Sequence, residues 1–200
     1  MSKERLLLLF VKNPIAGKVK TRLARTAGDE RALQIYKQLV YLTGKSAKQV
    51  KSARQVWYSS FIDQNDLFDG NLFEKRLQEG GDLGERMQNA FSKSFEEGYR
   101  KVVIIGSDCP ELDSSIIEQA FDELKQSDVV IGPSADGGYY LLGMNTFIPE
   151  IFEGIKWSSA EVLSRTKEKL NRSGYLFKEL EILNDIDTEE DLNNSSLDYA

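Results

Sequence analysis

The stretch that decides the fold is RLLLLFVKNPIAGKVKTRLA, Arg5 to Ala24. Its first third, Arg5 to Val11, is short and apolar at every position after the arginine. That is the pattern of a strand buried on both faces of a parallel sheet, because a half-solvated strand would alternate. The remainder concentrates Gly17, Lys18, Lys20 and Arg22 between this strand and a helix start. In an α/β fold that is the phosphate position: glycine lets backbone approach a ligand closely, a helix start offers unpaired N–H groups, and the cations neutralise phosphate charge. It is not a Walker loop, since Gly17-Lys18 is followed by Val19 and Thr21 follows Lys20, so the loop has no Gly-Lys-Ser/Thr run. The competing reading is a solvated basic turn; on the phosphate reading, changing Lys20 and Arg22 to Ala should weaken nucleotide binding and leave the melting temperature nearly unchanged.

Working outward, QVWYS (Gln55 to Ser59), KVVII (Lys101 to Ile105) and DVVI (Asp128 to Ile131) read as further strands. Helical periodicity separates them. Leu33, Tyr36, Leu39, Val40, Thr43, Ala47 and Val50 mark one amphipathic helix, and Leu83, Met87, Ala90, Phe91 and Phe95 mark another after Gly80-Gly81. Ile116, Ile117, Ala120, Phe121 and Leu124 give a third, and Val162, Leu163, Thr166 and Leu170 a weaker fourth. Strands alternating with helices predict α/β layering around a mostly parallel sheet. No repeat, low-complexity run or Pro/Ser-rich linker divides the chain, so residues 1–200 are expected to form one domain. Asn193 to Ala200 read as a polar, frayed end.

Composition narrows the chemistry. A chain of 200 residues with 40% hydrophobic and 29% charged residues is globular, and a net charge of −6 argues against wrapping nucleic acid or lying on an anionic membrane. Histidine is absent and Cys109 is the only cysteine, which excludes intramolecular disulfides, Cys/His zinc sites and His-activated nucleophiles. Acids, bases and metal ligands must come from Asp, Glu, Lys or Tyr. The apolar run at Leu6 is too short to span a membrane and lacks a small-residue cleavage site, so a cytoplasmic location is the expectation.

GSDCPEL, Gly106 to Leu112, puts Asp108 at the carboxyl end of a buried strand, the edge where open α/β sheets bind ligands. An aspartate there can bind Mg²⁺ bridging phosphate oxygens; it can equally form the turn before Pro110. SADGGYYLLG, Ser134 to Gly143, places Asp136-Gly137-Gly138 between strand-like runs. A plain hairpin would use Asp-Gly identically, although the glycines would also admit a substrate and Tyr139 and Tyr140 offer faces and hydroxyls to a sugar. GDLGERM, Gly81 to Met87, adds Arg86. In LNDIDTEEDL, Leu183 to Leu192, helix capping accounts for Thr188 with Glu190 or Asp191, but not for Asp185 and Asp187.

KNPIAGKVKTRLA, GDLGERM, GSDCPEL, ADGGYYLLG and NDIDTEEDL, in this order over nearly the whole chain, resemble a bacterial family of glycosyltransferase-like proteins once catalogued as a domain of unknown function, some linked to arsenosugar biosynthesis. The chain is also similar to nucleotidyltransferases of molybdenum- and deazaflavin-cofactor synthesis. Both share the GT-A, nucleotide-diphospho-sugar transferase fold, a three-layer α/β/α sandwich. The resemblance implies that Gly17, Lys18, Lys20 and Arg22 contact donor phosphates, with Thr21 and Arg86 beside them. It further implies that Asp108 holds Mg²⁺ or Mn²⁺ and that Asp136, Gly137, Gly138 and Tyr139 lie near a small-molecule acceptor. Asp108 and Asp136 are the catalytic candidates. One departure stands out: a typical glycosyltransferase of this fold has Asp-x-Asp at the metal, whereas this chain has Asp108-Cys109-Pro110. The second ligand must come from elsewhere, with Asp187 ahead of Asp185. The leading expectation is metal-dependent sugar transfer from a nucleoside-diphosphate sugar. The alternatives are nucleotidyl transfer with release of pyrophosphate, and a non-catalytic nucleotide-binding protein.

Overall fold

The computed structural model describes residues 3–197. Seven strands form one sheet: β1 (Arg5–Val11), β2 (Ala53–Tyr58), β3 (Glu74–Leu77), β4 (Lys101–Ile105), β5 (Val129–Pro133), β6 (Tyr139–Met144) and β7 (Phe177–Glu179), in the order β3-β2-β1-β4-β6-β5-β7. Only β6 runs antiparallel to its neighbours. The helices are α1 (Thr21–Ala27), α2 (Asp29–Gln49), α3 (Leu83–Glu96), α4 (Ser114–Glu123), α5 (Val162–Ser173) and α6 (Glu189–Asn194).

Burial explains why β1 is apolar at every position after Arg5. Leu7, Leu9 and Val11 belong to a core shared with Tyr36 and Val40 of α2 and Ile117 and Phe121 of α4. Leu6, Leu8 and Phe10, pointing the other way, pack with Met87, Ala90 and Phe91 of α3 and Leu170 of α5. The sheet is therefore covered on both faces, giving the three-layer α/β/α sandwich with a mostly parallel sheet. A third cluster joins Leu23 of α1, Ile35 and Leu39 of α2, and Leu192 of α6 with Ile186 and Leu197.

Several features depart from the sequence reading. β3 and β7 carry no apolar alternation; both are edge strands with intermediate and exposed residues, so they lacked the burial that makes a strand legible. Asp136-Gly137-Gly138 does form a hairpin turn, and that hairpin sets β6 antiparallel to β5. The frayed end expected from Asn193 is corrected for residues 193–197, because Asn194 closes α6 and Leu197 is 6% exposed; residues 198–200 lie outside those described. Among the described residues, no helix is long and apolar enough to cross a membrane.

Leu8 is fully buried in the sheet centre. Leu8→Ala is expected to cost about 3 kcal/mol and to lower the Tm by about 10 °C in chemical and thermal denaturation. A loss under about 1 kcal/mol would mean that β1 is not packed on both faces.

Candidate active site at the carboxyl edge of the sheet

Because only β6 is reversed, the carboxyl ends of β1, β4 and β5 and the amino end of β6 meet at one edge. The loop after β1 is pinned from two sides. Asn13, 3% exposed, accepts from the backbone N–H groups of Ser60 (3.0 Å) and Phe61 (3.3 Å) and donates to the Phe61 carbonyl (2.9 Å). The Tyr36 hydroxyl accepts from the Lys12 N–H (2.7 Å) and donates to the Lys12 carbonyl (3.0 Å). Burial pushes the Tyr36 phenol well above its ordinary pKa, so it stays a neutral latch. The loop then turns through Gly17 at φ 73° and Lys20 at φ 47°. A left-handed lysine is unusual. Here it delivers the side chain inward at the start of α1.

The Lys20 side chain is 3% exposed, with Nζ 2.5 Å from Asp108 Oδ1 and 3.1 Å from Asp187 Oδ1. Burial opposes its charge, but Asp108 and Asp187 outweigh burial and hold the ammonium above its ordinary pKa. The expectation of a wholly solvated loop is thus corrected for Lys20. Arg22 does face solvent, with Nη1 3.5 Å from Asp187 Oδ2. Asp187 reaches the site because residues 183–187 run along the end of β5 and cross to the Asp108 loop. The bonds that hold them are Leu183 N–H to the Pro133 carbonyl (3.2 Å), Ala135 N–H to the Leu183 carbonyl (3.1 Å) and Ile186 N–H to the Asp108 carbonyl (3.0 Å). Neither aspartate is a cap. Asp113 caps α4, and Thr188 with Asp191 forms the capping box of α6.

Asp108 and Asp187 each contact one ammonium, so their oxygens are no farther apart than those two contacts allow. Asp185 lies beside them, half-buried, and its carboxyl is pushed up to about 7 by burial and by Asp108, Asp136 and Asp187, with Lys20 opposing. The donors are hard oxygens with excess negative charge. No group of three or more Asp, Glu or Cys side chains forms a ligand sphere among the described residues. Two carboxylates still fit Mg²⁺, which keeps several waters and takes further oxygens from substrate phosphate. The Asp136 carboxylate accepts from Ser134 Oγ (2.7 Å) and Gly138 N–H (2.9 Å), a turn-shaping role.

A cleft of about 890 Å³ opens beside this cluster, lined by Arg22, Asp108, Asp136, Asp185 and Asp187 on one side and Arg86 and Trp157 on the other. Lys18 and Thr21 line an adjoining recess of about 160 Å³ that also contains Lys20. Gly17 and Gly137 line neither, and their roles are conformational. Gly137, at φ 89°, has no room for a Cβ, which would meet the Ala160 carbonyl at 2.3 Å. The Tyr139 ring borders the cleft, but its hydroxyl is buried, which corrects the expectation that this hydroxyl meets a sugar. The Tyr140 hydroxyl donates to the Glu181 carbonyl, also away from the cleft. Sequence reasoning missed Trp157, Asn13 and Tyr36. Trp157 is foreshadowed by Gly84 in GDLGERM, where a Cβ would lie 2.0 Å from the indole Nε1, so Gly84 lets the ring lie on α3. Asp82 caps α3 by accepting from Glu85 N–H, and the Glu85 carboxylate accepts from Gly81 N–H.

Residues 42–159 match the family described as "Uncharacterized protein conserved in bacteria (DUF2064)". A crystal structure from Desulfovibrio desulfuricans G20, whose protein carries the provisional description nucleotide-diphospho-sugar transferase, is 36% identical, with a TM-score of 0.87 over 96% of this chain and 86% of that one. The 2-phospho-L-lactate guanylyltransferase of Methanocaldococcus jannaschii is 33% identical over 109 residues, 53% of this chain. That match spans about half, 47%, of the guanylyltransferase. The 4-diphosphocytidyl-2C-methyl-D-erythritol synthase of Anaerococcus prevotii, at 12% identity, shares the fold with a TM-score of 0.62 over 96% of this chain and 94% of its own.

Asp185 supplies a pH test. A carboxyl whose folded pKa stands above its unfolded value of about 3.9 penalises the fold once ionised; the penalty is absent below about pH 4 and complete above about pH 7. In metal-free buffer, Asp185→Asn is therefore expected to stabilise the protein by about 1–2 kcal/mol at about pH 8, with the gain vanishing near pH 4. A gain that is constant with pH would show that Asp185 is not held among like charges.

Proposed function

Because this chain belongs to the DUF2064 family, we propose that it is a metal-dependent nucleotidyltransferase, taking a nucleoside triphosphate as donor and a phosphorylated small molecule as acceptor. The carrying observation is the kinship to a guanylyltransferase, which moves the reading from sugar transfer toward nucleotidyl transfer. The Lys20–Asp108–Asp187 cluster supports it by supplying the charges this chemistry uses. In the proposed reaction an acceptor phosphate oxygen attacks the α-phosphorus, the bond from that phosphorus to the bridging oxygen breaks, and pyrophosphate leaves with the electron pair.

Lys20 and Arg22 neutralise the departing diphosphate, which is electrostatic stabilisation of charge as it develops. Lys18 and Thr21 border the same phosphates, and Gly17 shapes the loop that carries them. Asp108 and Asp187 would hold Mg²⁺ or Mn²⁺, which neutralises phosphate charge and orients the leaving group. Asp136, Gly137 and Gly138 form the turn at the acceptor side, Tyr139 contributes its ring, and Arg86 offers a cation on the far wall. The residues act as one domain.

Sugar transfer from a nucleoside-diphosphate sugar stands as the second reading, favoured by the description of the 36% identical Desulfovibrio protein. Products separate the two. Incubation with nucleoside triphosphates, Mg²⁺ and a pool of phosphorylated metabolites is expected to release pyrophosphate, detected through a coupled pyrophosphatase. Nucleoside diphosphate released from a nucleotide sugar would instead establish the second reading, and neither product would leave a binding protein. Arg22 is 62% exposed in its side chain, so Arg22→Ala should leave the Tm unchanged while raising the donor KM by about tenfold. An unaltered KM would remove Arg22 from the donor site.

A further inference from the structure

We propose that Lys20 is the resident cation of the Asp108–Asp187 position, and that a divalent cation enters there only together with an anionic donor that draws the ammonium away. The inference rests on the nucleotidyl-transfer reading and extends it to the order of binding. Its basis is steric and electrostatic. One ammonium lies 2.5 Å from Asp108 Oδ1 and 3.1 Å from Asp187 Oδ1, and its side chain is 3% exposed. A Mg²⁺ ion would sit about 2.0–2.1 Å from its carboxylate oxygens. Two oxygens already bridged so closely by an ammonium leave no space between them for a second cation, and the two positive charges would repel.

The backbone reinforces the arrangement. Lys20 is held at φ 47°, and Val19 and Leu23 on either side are buried, at 2% and 0% exposure, so the stem is directed inward by the fold. Removing the ammonium from both carboxylates requires another anion within reach of the same stem. The recess that adjoins it provides the place. It is lined by Lys12, Lys18 and Arg22 together with Lys20, and neither Lys12 nor Lys18 has an ion-pair partner among the described residues. A polyphosphate seated there gives Lys20 a substitute partner and frees Asp108 and Asp187 for the metal, while its own oxygens complete the metal's coordination. Donor and metal then bind with positive coupling, and the free enzyme discriminates against metal alone.

The test titrates Mn²⁺ alone into the free protein, followed by electron paramagnetic resonance of unbound Mn²⁺. Lys20→Met, which keeps the length of the stem without its charge, is expected to bind Mn²⁺ at least about tenfold more tightly than the wild type. Asp108→Asn in the Lys20→Met background should abolish that gain. Should Lys20→Met fail to fold, Lys20→Gln retains N–H donors toward the carboxylates and carries the same expectation. Equal Mn²⁺ affinity in wild type and variant overturns the proposal. So does tight Mn²⁺ binding by the wild type in the absence of any nucleotide, a result that needs no variant. These titrations involve no turnover. A failed product assay therefore sinks the transfer reading without touching them, and equal affinities sink the cation exchange without touching the transfer reading.

Discussion

The Lys20 ammonium, 2.5 Å from Asp108 and 3.1 Å from Asp187, is a charge taken almost wholly out of water, and an unpaired charge so buried would cost several kcal/mol. It is tolerable only because two carboxylates arrive from distant parts of the chain. Asp108 arrives because β4 pairs directly with β1, so their carboxyl ends lie side by side. Asp187 arrives because residues 183–187 are bonded to the end of β5 and then to the Asp108 carbonyl. The dependence runs both ways, since without the ammonium Asp108, Asp185 and Asp187 would face each other as unrelieved like charges. The loop after β1, the loop after β4 and the segment before α6 are therefore one electrostatic unit, and the sheet order is what assembles it.

A second constraint, steric instead of electrostatic, builds the far wall of the cleft. The segment around Trp157 to Ala160 rests on two glycines from separate elements: Trp157 on Gly84 of α3, and Ala160 on Gly137 of the hairpin turn. Leu163 N–H then donates to the Gly137 carbonyl, fixing the start of α5 to that turn. Neither contact survives a Cβ, because each would bring carbon well inside van der Waals distance of its neighbour. The placement of the far wall is thus set by backbone approach at two points, one of them the hairpin turn that also carries Asp136 of the charged wall.

These two kinds of constraint differ in how well a sequence displays them. The double burial of β1, β4 and β5 was legible because burial on both faces leaves an unbroken apolar run, and α2 and α3 were legible because their stripes repeat at helical spacing. β3 and β7 were not, since an edge strand is held by backbone bonds that any side chain permits. Within the site, Asp108 was legible from its strand-end position, and Asp187 only as an acid that capping left unexplained beside a resemblance that asked for a second ligand. The inward turn of Lys20 was not legible, because a left-handed φ at a lysine has no compositional mark. Tyr139 misled for a similar reason: its neighbours suggested a ligand, whereas the pleat of β6 sends its hydroxyl into the core. Trp157 carried no motif at all, and only its imprint on Gly84 was visible, as a glycine without an evident purpose.

The same residues weigh the two transfer chemistries unequally. A sugar acceptor attacks through a hydroxyl, which needs a base near its operating pH. The chain has no histidine, and the Asp136 carboxylate is engaged by Ser134 and Gly138 in shaping the turn. That leaves Asp185, which lines the cleft and whose carboxyl is pushed up to about 7, but which is crowded by the carboxylates that meet Lys20. A phosphate acceptor asks for none of this. With a second pKa near 6 it is already largely a dianion at neutral pH, and it needs cations for positioning more than a base for activation. Arg86 is the cation proposed for that need: its guanidinium donates to the Gly80 carbonyl and to Gln78, and it has no carboxylate partner among the described residues. The absence of histidine, the carboxylates engaged by Lys20 or by the hairpin turn, and an Arg86 without a carboxylate partner are the features that favour the phosphate acceptor of the proposed reaction.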